Sequence, residues 1–424
     1  MFRNSDRLFV LTLLCACVAA RPVRASGFLI QEQSAAALGQ GGAVAAAADE
    51  PAAVWFNPAA LTFAKGWGVS ATAAVGAPRA SFSPKGGGPR TDAEFRLQPV
   101  PNLFAHLPVT VAGLQRIVLG LGLYAPFGLR LSWPRGWQGS EKAESISVSV
   151  VALNPTVSVP LGESVAIAAG ASLLYGAVEF AAGLPSDLTM TTMPTSMGRG
   201  VLSGNATSWN ANAALFWRPS PEVLSLALTY RTGAKLNFKG DADFSGSDPR
   251  LQSTFVDQSA RTELPLPDVL TFAAAWRFHP ALRLGFQVER VGWSAFQKLE
   301  IRFSQPTTPT QRIERNSADA WTGRVGLQWE RQGTFSALRT GLVLDQGTAN
   351  SDSLAPSAPD SERVGITLGT SIALGKTTLD VGYLFLYFFP AKATGGREGP
   401  EGTYHATMHG LALTARFGPG ASGK

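Results

Sequence analysis

The chain has 424 residues, of which 45% are hydrophobic and only 16% charged, and its 45 glycines and 28 prolines are spread along the whole length. Beyond the first 25 residues no run approaches the 18 or more apolar residues of a membrane-spanning helix, so the apolar content is not packaged in helical blocks. The formal net charge of +6 owes part of its excess to Arg3, Arg7, Arg21 and Arg24, and the remainder is too small for a nucleic-acid footprint.

In chain order, residues 1–25 read as a secretory signal. Arg3 and Arg7 precede the apolar run Leu8 to Ala20, and Val23-Arg24-Ala25 forms a small-residue cleavage site. Both cysteines, Cys15 and Cys17, fall in that run, so the mature chain is expected to hold neither a disulfide nor a thiolate metal site. A lipoprotein reading through Leu14-Cys15-Ala16-Cys17 is the irregular alternative.

Residues 26–65 are Ala/Gly-rich, lack strand alternation and end in Asn57-Pro58-Ala59-Ala60-Leu61. They stand between the export signal and a long series of strand-like segments, and are expected to sit inside whatever those segments build, as a plug. Asn57, Pro58 and Ala59 suit a turn: the amide bonds nearby backbone, proline fixes φ and removes a donor, and alanine allows close approach to a wall. A plain helix-terminating turn is the blander reading.

From Trp67 onward the pattern has period 2. Val364, Ile366, Leu368, Ile372 and Leu374 fall on one face, against Gly365, Thr367, Gly369 and Ser371 on the other. Fourteen strands are expected, near 67–76, 92–104, 116–128, 145–159, 165–180, 207–217, 223–239, 262–278, 281–303, 320–330, 335–346, 362–374, 377–389 and 404–417. Long polar connections alternate with short turns such as His279-Pro280, an asymmetry that a barrel with short periplasmic turns and long external loops explains and a sandwich does not. Residues 66–417 are therefore read as an all-β, 14-stranded antiparallel transmembrane β-barrel, followed by a short tail, 418–424. Tryptophans 133, 137, 209, 217, 276, 293, 321 and 329 lie near strand ends, where interfacial girdles would put them.

Along the chain stand Trp55-Phe56-Asn57-Pro58-Ala59, Tyr124-Ala125-Pro126-Phe127-Gly128-Leu129, Leu153-Asn154-Pro155-Thr156-Val157, Leu264-Pro265-Leu266-Pro267-Asp268, Trp293-Ser294-Ala295-Phe296-Gln297 and Leu338-Arg339-Thr340-Gly341. These motifs resemble those of the FadL-type outer-membrane transporters of long-chain fatty acids and other hydrophobic compounds. Each is weak alone; their order and spacing are specific. The resemblance implies an N-terminal hatch inside the barrel, capture of ligand at external loops, and sideways release through the wall into the membrane. It also implies a monomer in the bacterial outer membrane, placed there by the barrel assembly machinery, with outer-membrane lipid around it and a fatty acid or an aromatic or aliphatic hydrocarbon as passenger.

The third strand supplies the candidate opening. Ile117, Leu119, Leu121 and Leu123 alternate with Gly120 and Gly122 until Pro126, Phe127 and Gly128 interrupt, and a strand holding both Pro and Gly can kink inward and leave its neighbour. The alternative is that Pro126 marks the strand's end. By parity the lumen face carries Arg231, Lys235, Arg277, Arg283, Arg324 and Arg339, together with Leu384, Leu386 and Phe388. A cation would offset the cost of moving a carboxylate out of water. Pairing of each arginine with a lumen acid such as Glu289 or Asp345 is the competing account. External loop 181–206, with Met190, Met193 and Met197, is a candidate capture surface.

No catalytic residue, metal or cofactor is expected. Serine-hydrolase, zincin, P-loop and cysteine-pair motifs are absent, and His405 and His409, four residues apart on a strand, stand about 13 Å apart, too far for one metal. A general diffusion porin is the alternative function, an outer-membrane hydrolase a remoter one, and an adhesin a third.

Overall fold

The computed structural model describes residues 27–47, 49–110, 116–184, 198–246, 252–347, 351–352, 354–395 and 398–419. The signal sequence, the three methionines of the external loop and residues 420–424 lie outside the described residues.

The described strands form one antiparallel sheet that closes on itself. The early spans are β1 (Gly68–Pro84), β2 (Thr91–Asp92) with β3 (Gln98–Val109), β4 (Ile117–Ser132), β5 (Ser145–Pro160), β6 (Val165–Gly183) and β7 (Arg199–Ser220). Three interrupted spans follow: β8 (Leu224–Arg231) with β9 (Ala234–Ser245), β10 (Gln258–Leu266) with β11 (Val269–His279), and β12 (Leu282–Val291) with β13 (Lys298–Phe303). The last five are β14 (Gln311–Glu314) with β15 (Ala320–Glu330), β16 (Phe335–Asp345), β17 (Arg363–Leu374), β18 (Thr377–Ala393) and β19 (Gly402–Phe417). These make fourteen spans. Pairing from Val69↔Phe417 to Pro84↔Gly402 seals first to last, which leaves no edge to satisfy in lipid.

The alternation predicted from sequence is realised where lipid demands it. Ile366 and Leu368 are about 60% exposed on the outer face, whereas Thr367 and Ser371 are buried inside. Three details differ from expectation. The seventh, eighth and ninth spans are not continuous: they break at Thr232-Gly233, Pro267-Asp268 and Gly292–Gln297. The first break shifts the parity, so Lys235, expected in the lumen, is exposed and paired with Glu263 at 3.0 Å. Trp133, Trp137 and Trp293, expected in interfacial girdles, are buried on inward-turned loops, while Trp209, Trp217, Trp321 and Trp329 are exposed as expected. Finally, β1 and β7 run well beyond the predicted ends, because outward positions above the lipid band need not be apolar and so give no alternation signal.

Inside the barrel lies the N-terminal segment. It contains helix α1 (Ala35–Leu38), helix α2 (Ala53–Phe56) and a 3-10 turn (Pro58–Phe63), and it is almost wholly buried. Helix α1 packs on β17, β18 and β19, and the 3-10 turn packs on β4 to β7. The close approach requires bare backbone on the wall: Gly285, Gly326 and Gly341 are in register across β12, β15 and β16, and a Cβ at Gly326 would stand 2.4 Å from the Gln40 carbonyl oxygen. Gly341→Val is therefore expected to cost about 1–3 kcal/mol by overpacking. The checking measurements are the denaturant midpoint of the purified barrel and protease sensitivity within residues 27–65.

Asn57 holds the corner of this segment. Its amide nitrogen donates to the Ala45 carbonyl at 2.9 Å, and its side-chain oxygen accepts from the Ala59 N–H at 3.1 Å, capping the turn that Pro58 begins. The Ser158 hydroxyl of β5 donates to the Pro58 carbonyl at 2.6 Å, tying the corner to the wall. The Asn57-Pro58-Ala59 motif thus supplies the local bonds that a buried irregular backbone needs.

Candidate functional site

The wall has a defect where the sequence carries Pro126. Strand β4 alternates with its odd residues outward up to Leu123, then gains one residue against β5: Tyr124 pairs with Ala152, and Phe127 with Val150. This bulge reverses the phase, so Phe127 turns inward and Arg130 outward. On the other edge, the β3–β4 ladder stops at Leu103↔Leu123, and β3 residues below 103 pair only with β1. Above Leu123, β4 has left its neighbour, and the two meet again only at its top, where the Gln98 side chain donates to the Arg130 carbonyl and the Glu94 N–H to the Ser132 carbonyl, both at 2.8 Å.

The backbone groups freed by this departure are taken by the N-terminal segment. The Ile30 N–H donates to the Pro126 carbonyl at 2.9 Å, and the Gly128 N–H donates to the Phe28 carbonyl at 3.0 Å. The Gln33 amide donates to the Ala125 carbonyl at 3.0 Å. Residues 28–30 act as a short substitute strand, and a Cβ at Gly128 would stand 2.8 Å from Ile30 Cδ1, so a side chain there would push the Ile30 side chain aside.

Above this point three aromatic rings meet. Phe28 lies 4.9 Å from Trp293 and 5.9 Å from Phe127, centroid to centroid, with Phe127 and Trp293 6.4 Å apart. Trp293 arrives from the opposite wall, where Gly292 opens the 3-10 turn Trp293–Ala295. Two inward excursions of the wall therefore clasp Phe28 between them.

Three cavities in the lumen are lined by described residues. An apolar one of about 90 Å³ lies beside the clasp, lined among others by Phe28, Leu129, Val178, Phe238, Phe296 and Arg315. Arg315 donates to the Ser357 hydroxyl at 2.8 Å, and its guanidinium sits 5.7 Å from the Phe296 ring centre. It stands between β14 and β15, above the lipid-facing band. Burial pushes its pKa down to about 10, with Glu398 opposing, so it stays cationic at neutral pH. A second cavity, of about 30 Å³, has a mixed lining that includes Gln31, Trp55, Arg231 and Glu289. A third, also of about 30 Å³, includes Arg324, Asp345, Leu384 and Leu386.

Of the nine residues expected in the lumen from parity, Arg231, Arg283, Arg324, Arg339, Leu384 and Leu386 are buried inside the barrel, but they do not converge. Arg324 donates to Glu289 at 2.9 Å and to the Gly41 carbonyl at 2.9 Å. Arg339 donates to Gln328 at 2.7 Å and to Ser371 at 2.6 Å, and is 3.5 Å from Asp380. Arg324 thus ties the N-terminal segment to the wall, and Arg339 serves the wall itself. Arg231 lies 4.5 Å over Trp55 and donates to the Tyr124 hydroxyl at 3.0 Å, with no carboxylate in ion-pair reach among the described residues. Phe388 lies under Arg363 at 5.0 Å. None of the six lines the apolar cavity, whereas Arg315, Phe28 and Phe296, which do, were not singled out by parity because irregular backbone aims them.

An ionic cluster joins the N-terminal segment to the wall elsewhere in the lumen. Asp49 is 3.2 Å from Arg283, Glu50 is 3.9 Å from Arg416, and Asp380 is shared by Arg416 and Arg339. Burial is the main cause that raises the Glu50 carboxyl to about 6, while Arg416 opposes it and Asp380 adds to it.

The family model described as outer membrane protein transport protein (OMPP1/FadL/TodX) matches residues 16–417. A long-chain fatty acid transport protein of Salmonella typhi is 23% identical over 440 residues, covering 96% of this chain and 97% of the relative. Among solved structures, a Pseudomonas aeruginosa FadL homologue superposes with a TM-score of 0.81 at 18% identity, over 92% of this chain and 99% of its own. The Pseudomonas putida toluene transporter TodX follows with 0.72 at 14%, over 91% and 98%.

Proposed function

This chain belongs to the OMPP1/FadL/TodX family of outer membrane transport proteins, and on that premise we propose that it passes long-chain fatty acids or similar hydrophobic compounds sideways through its own wall. It is an outer-membrane β-barrel transporter. Ligand taken from the external loops occupies the apolar cavity, and leaves past the Phe28 clasp through the opening at Pro126, Phe127 and Gly128. The carrying observation is the end of the β3–β4 ladder at Leu103↔Leu123, four residues before Phe127, whose ring packs on that cavity's Phe28. The segment 26–65 acts as the hatch that denies water the same route: Asn57, Pro58 and Ala59 fix its corner, and ligand displaces only residues 28–30. The barrel works as a monomer in outer-membrane lipid, after insertion by the barrel assembly machinery.

Arg315 is the group that holds a carboxylate head. Arg231, with no carboxylate in ion-pair reach among the described residues, is the next cation a head would meet, and Arg324 and Arg339 with Leu384, Leu386 and Phe388 shape the lumen around the hatch. A charge-assisted hydrogen bond is worth about 1.5–3 kcal/mol. Arg315→Met is thus expected to weaken binding of a fatty acid by about tenfold or more, and to leave binding of a neutral hydrocarbon unchanged. Calorimetric titration of detergent-solubilised protein checks this.

The transport reading is tested by expressing the protein in cells without a fatty-acid transporter, and by placing the purified barrel in planar bilayers. Accumulation of labelled long-chain fatty acid without steady ion conductance is expected. Steady conductance without accumulation would identify a diffusion porin instead.

A further inference from the structure

The motifs Leu264-Pro265-Leu266-Pro267-Asp268 and Trp293-Ser294-Ala295-Phe296-Gln297 face one another across a second lapse in the wall. The ladder between β11 and β12 runs as far as Val269↔Val291 and stops. Pairing of this span with the next resumes at Thr262↔Ile301, between β10 and β13. Residues 263–268 therefore stand against residues 292–300 with no ladder between them, apart from the Gly292 N–H that donates to the Asp268 carbonyl at 2.9 Å at the lower end. The residue types account for the lapse: Pro265 and Pro267 have no N–H to offer, and Gly292 lets the backbone turn inward.

The lapse lies where the outer surface changes character. Towards the periplasmic side, the outward residues of these spans include Phe272, Leu284 and Phe286. Towards the external side they include Arg261, Glu263, Lys298 and Arg302, with Lys235 beside them on β9, which places the gap at headgroup level. Its outer rim is polar, with Glu263, Ser294, Gln297 and Lys298 exposed. Its inner side is apolar, and Leu264, Phe296 and Leu299 line both the gap and the 90 Å³ cavity. Unpaired backbone at membrane depth is tolerated beside a cavity of this kind and not against lipid.

We propose that this gap is a side port through which a single-chain amphiphile already resting in the outer leaflet passes into the apolar cavity. The tail goes first between Leu264 and Phe296, and the charged head crosses the rim at Gln297 and Lys298. The port lies on the Trp293 side of the aromatic clasp, and the opening at Pro126 on the other, so inlet and outlet are separated by Phe28. The inference rests on the transport reading and adds a route to it.

The test uses Gln297→Cys on the rim and Ser259→Cys, an exposed outward position on β10 beyond the gap, each labelled on intact cells with a bulky maleimide. Uptake is followed for fatty acid delivered from donor vesicles that fuse into the outer leaflet, and for fatty acid delivered from a cyclodextrin complex in water. With the label at 297, uptake of membrane-delivered ligand is expected to be lost and uptake of cyclodextrin-delivered ligand retained, relative to the same variant unlabelled. The label at 259 is expected to change neither. Unchanged membrane-delivered uptake at full labelling of 297, or equal loss by both routes, overturns the port while leaving the transport reading in place. Absence of uptake by either route in the unlabelled protein overturns both.

Discussion

Deleting Ala125 and replacing Pro126 by valine is expected to reduce fatty-acid uptake to that of cells without the protein, while the barrel still assembles. The bulge in β4 arises from one surplus residue: three steps from Tyr124 to Phe127 are matched by two from Ala152 to Val150. Substitution alone would leave that surplus, whereas deletion restores a one-to-one register with β5. The introduced valine then supplies the N–H that Pro126 lacks, and a β-branched residue favours the extended wall. The straightened strand can continue its ladder with β3 past Leu103↔Leu123, and the edge now held by Phe28 and Ile30 is closed to them. Substituting Pro126→Val and Gly128→Thr without the deletion should act in the same direction but less completely, through the clash of a new Cβ with Ile30. Heat-modifiable mobility on gels reports assembly. Full uptake by an assembled deletion variant would rule out release through this part of the wall.

How much of this was legible in the sequence follows from where lipid imposes a rule. A strand buried in the membrane must be apolar on its outer face, so Val364 to Leu374 announced both their strand and their orientation. The same rule is silent above the lipid band, and the external halves of β1 and β7 were missed for that reason. Pro126 was legible as an interruption, since proline has few places in a central strand. Its phase reversal was not, because register is a property of two strands and only the ladder with β5 reveals the surplus residue. Lys235 shows the same limit: the strand is interrupted at Thr232-Gly233, and the parity of the rest of that span turns over. The clasp was illegible for a further reason. Phe28, Phe127 and Trp293 are 99 and 166 residues apart along the chain, and nothing in period or composition links them; they meet because three separate irregularities aim at one point.

Asp380→Ala should destabilise the barrel by about 3–5 kcal/mol, the usual consequence of removing one member of a buried ion-paired group. Asp380 is fully buried; it accepts from Arg416 Nη2 at 3.0 Å and from Nε at 2.5 Å, lies 3.5 Å from Arg339, and also accepts from the Ser371 hydroxyl. Without it two guanidiniums face each other in the lumen with one fewer counter-charge. The N-terminal segment provides the remaining one: Glu50 is 3.9 Å from Arg416 and accepts from Ser34 at 2.5 Å, and Ser34 caps helix α1. The negative charge of Asp380 is one of the causes that hold the Glu50 carboxyl up near 6. Its removal lets Glu50 ionise more readily and take over part of Arg416, so Glu50→Gln should cost more in the Asp380→Ala background than in the native protein. Denaturant unfolding of the four proteins at neutral pH measures this coupling. Additive losses would mean that wall and N-terminal segment are held independently; the shared arginine predicts that they are not, and that loosening the segment from the wall begins at Glu50.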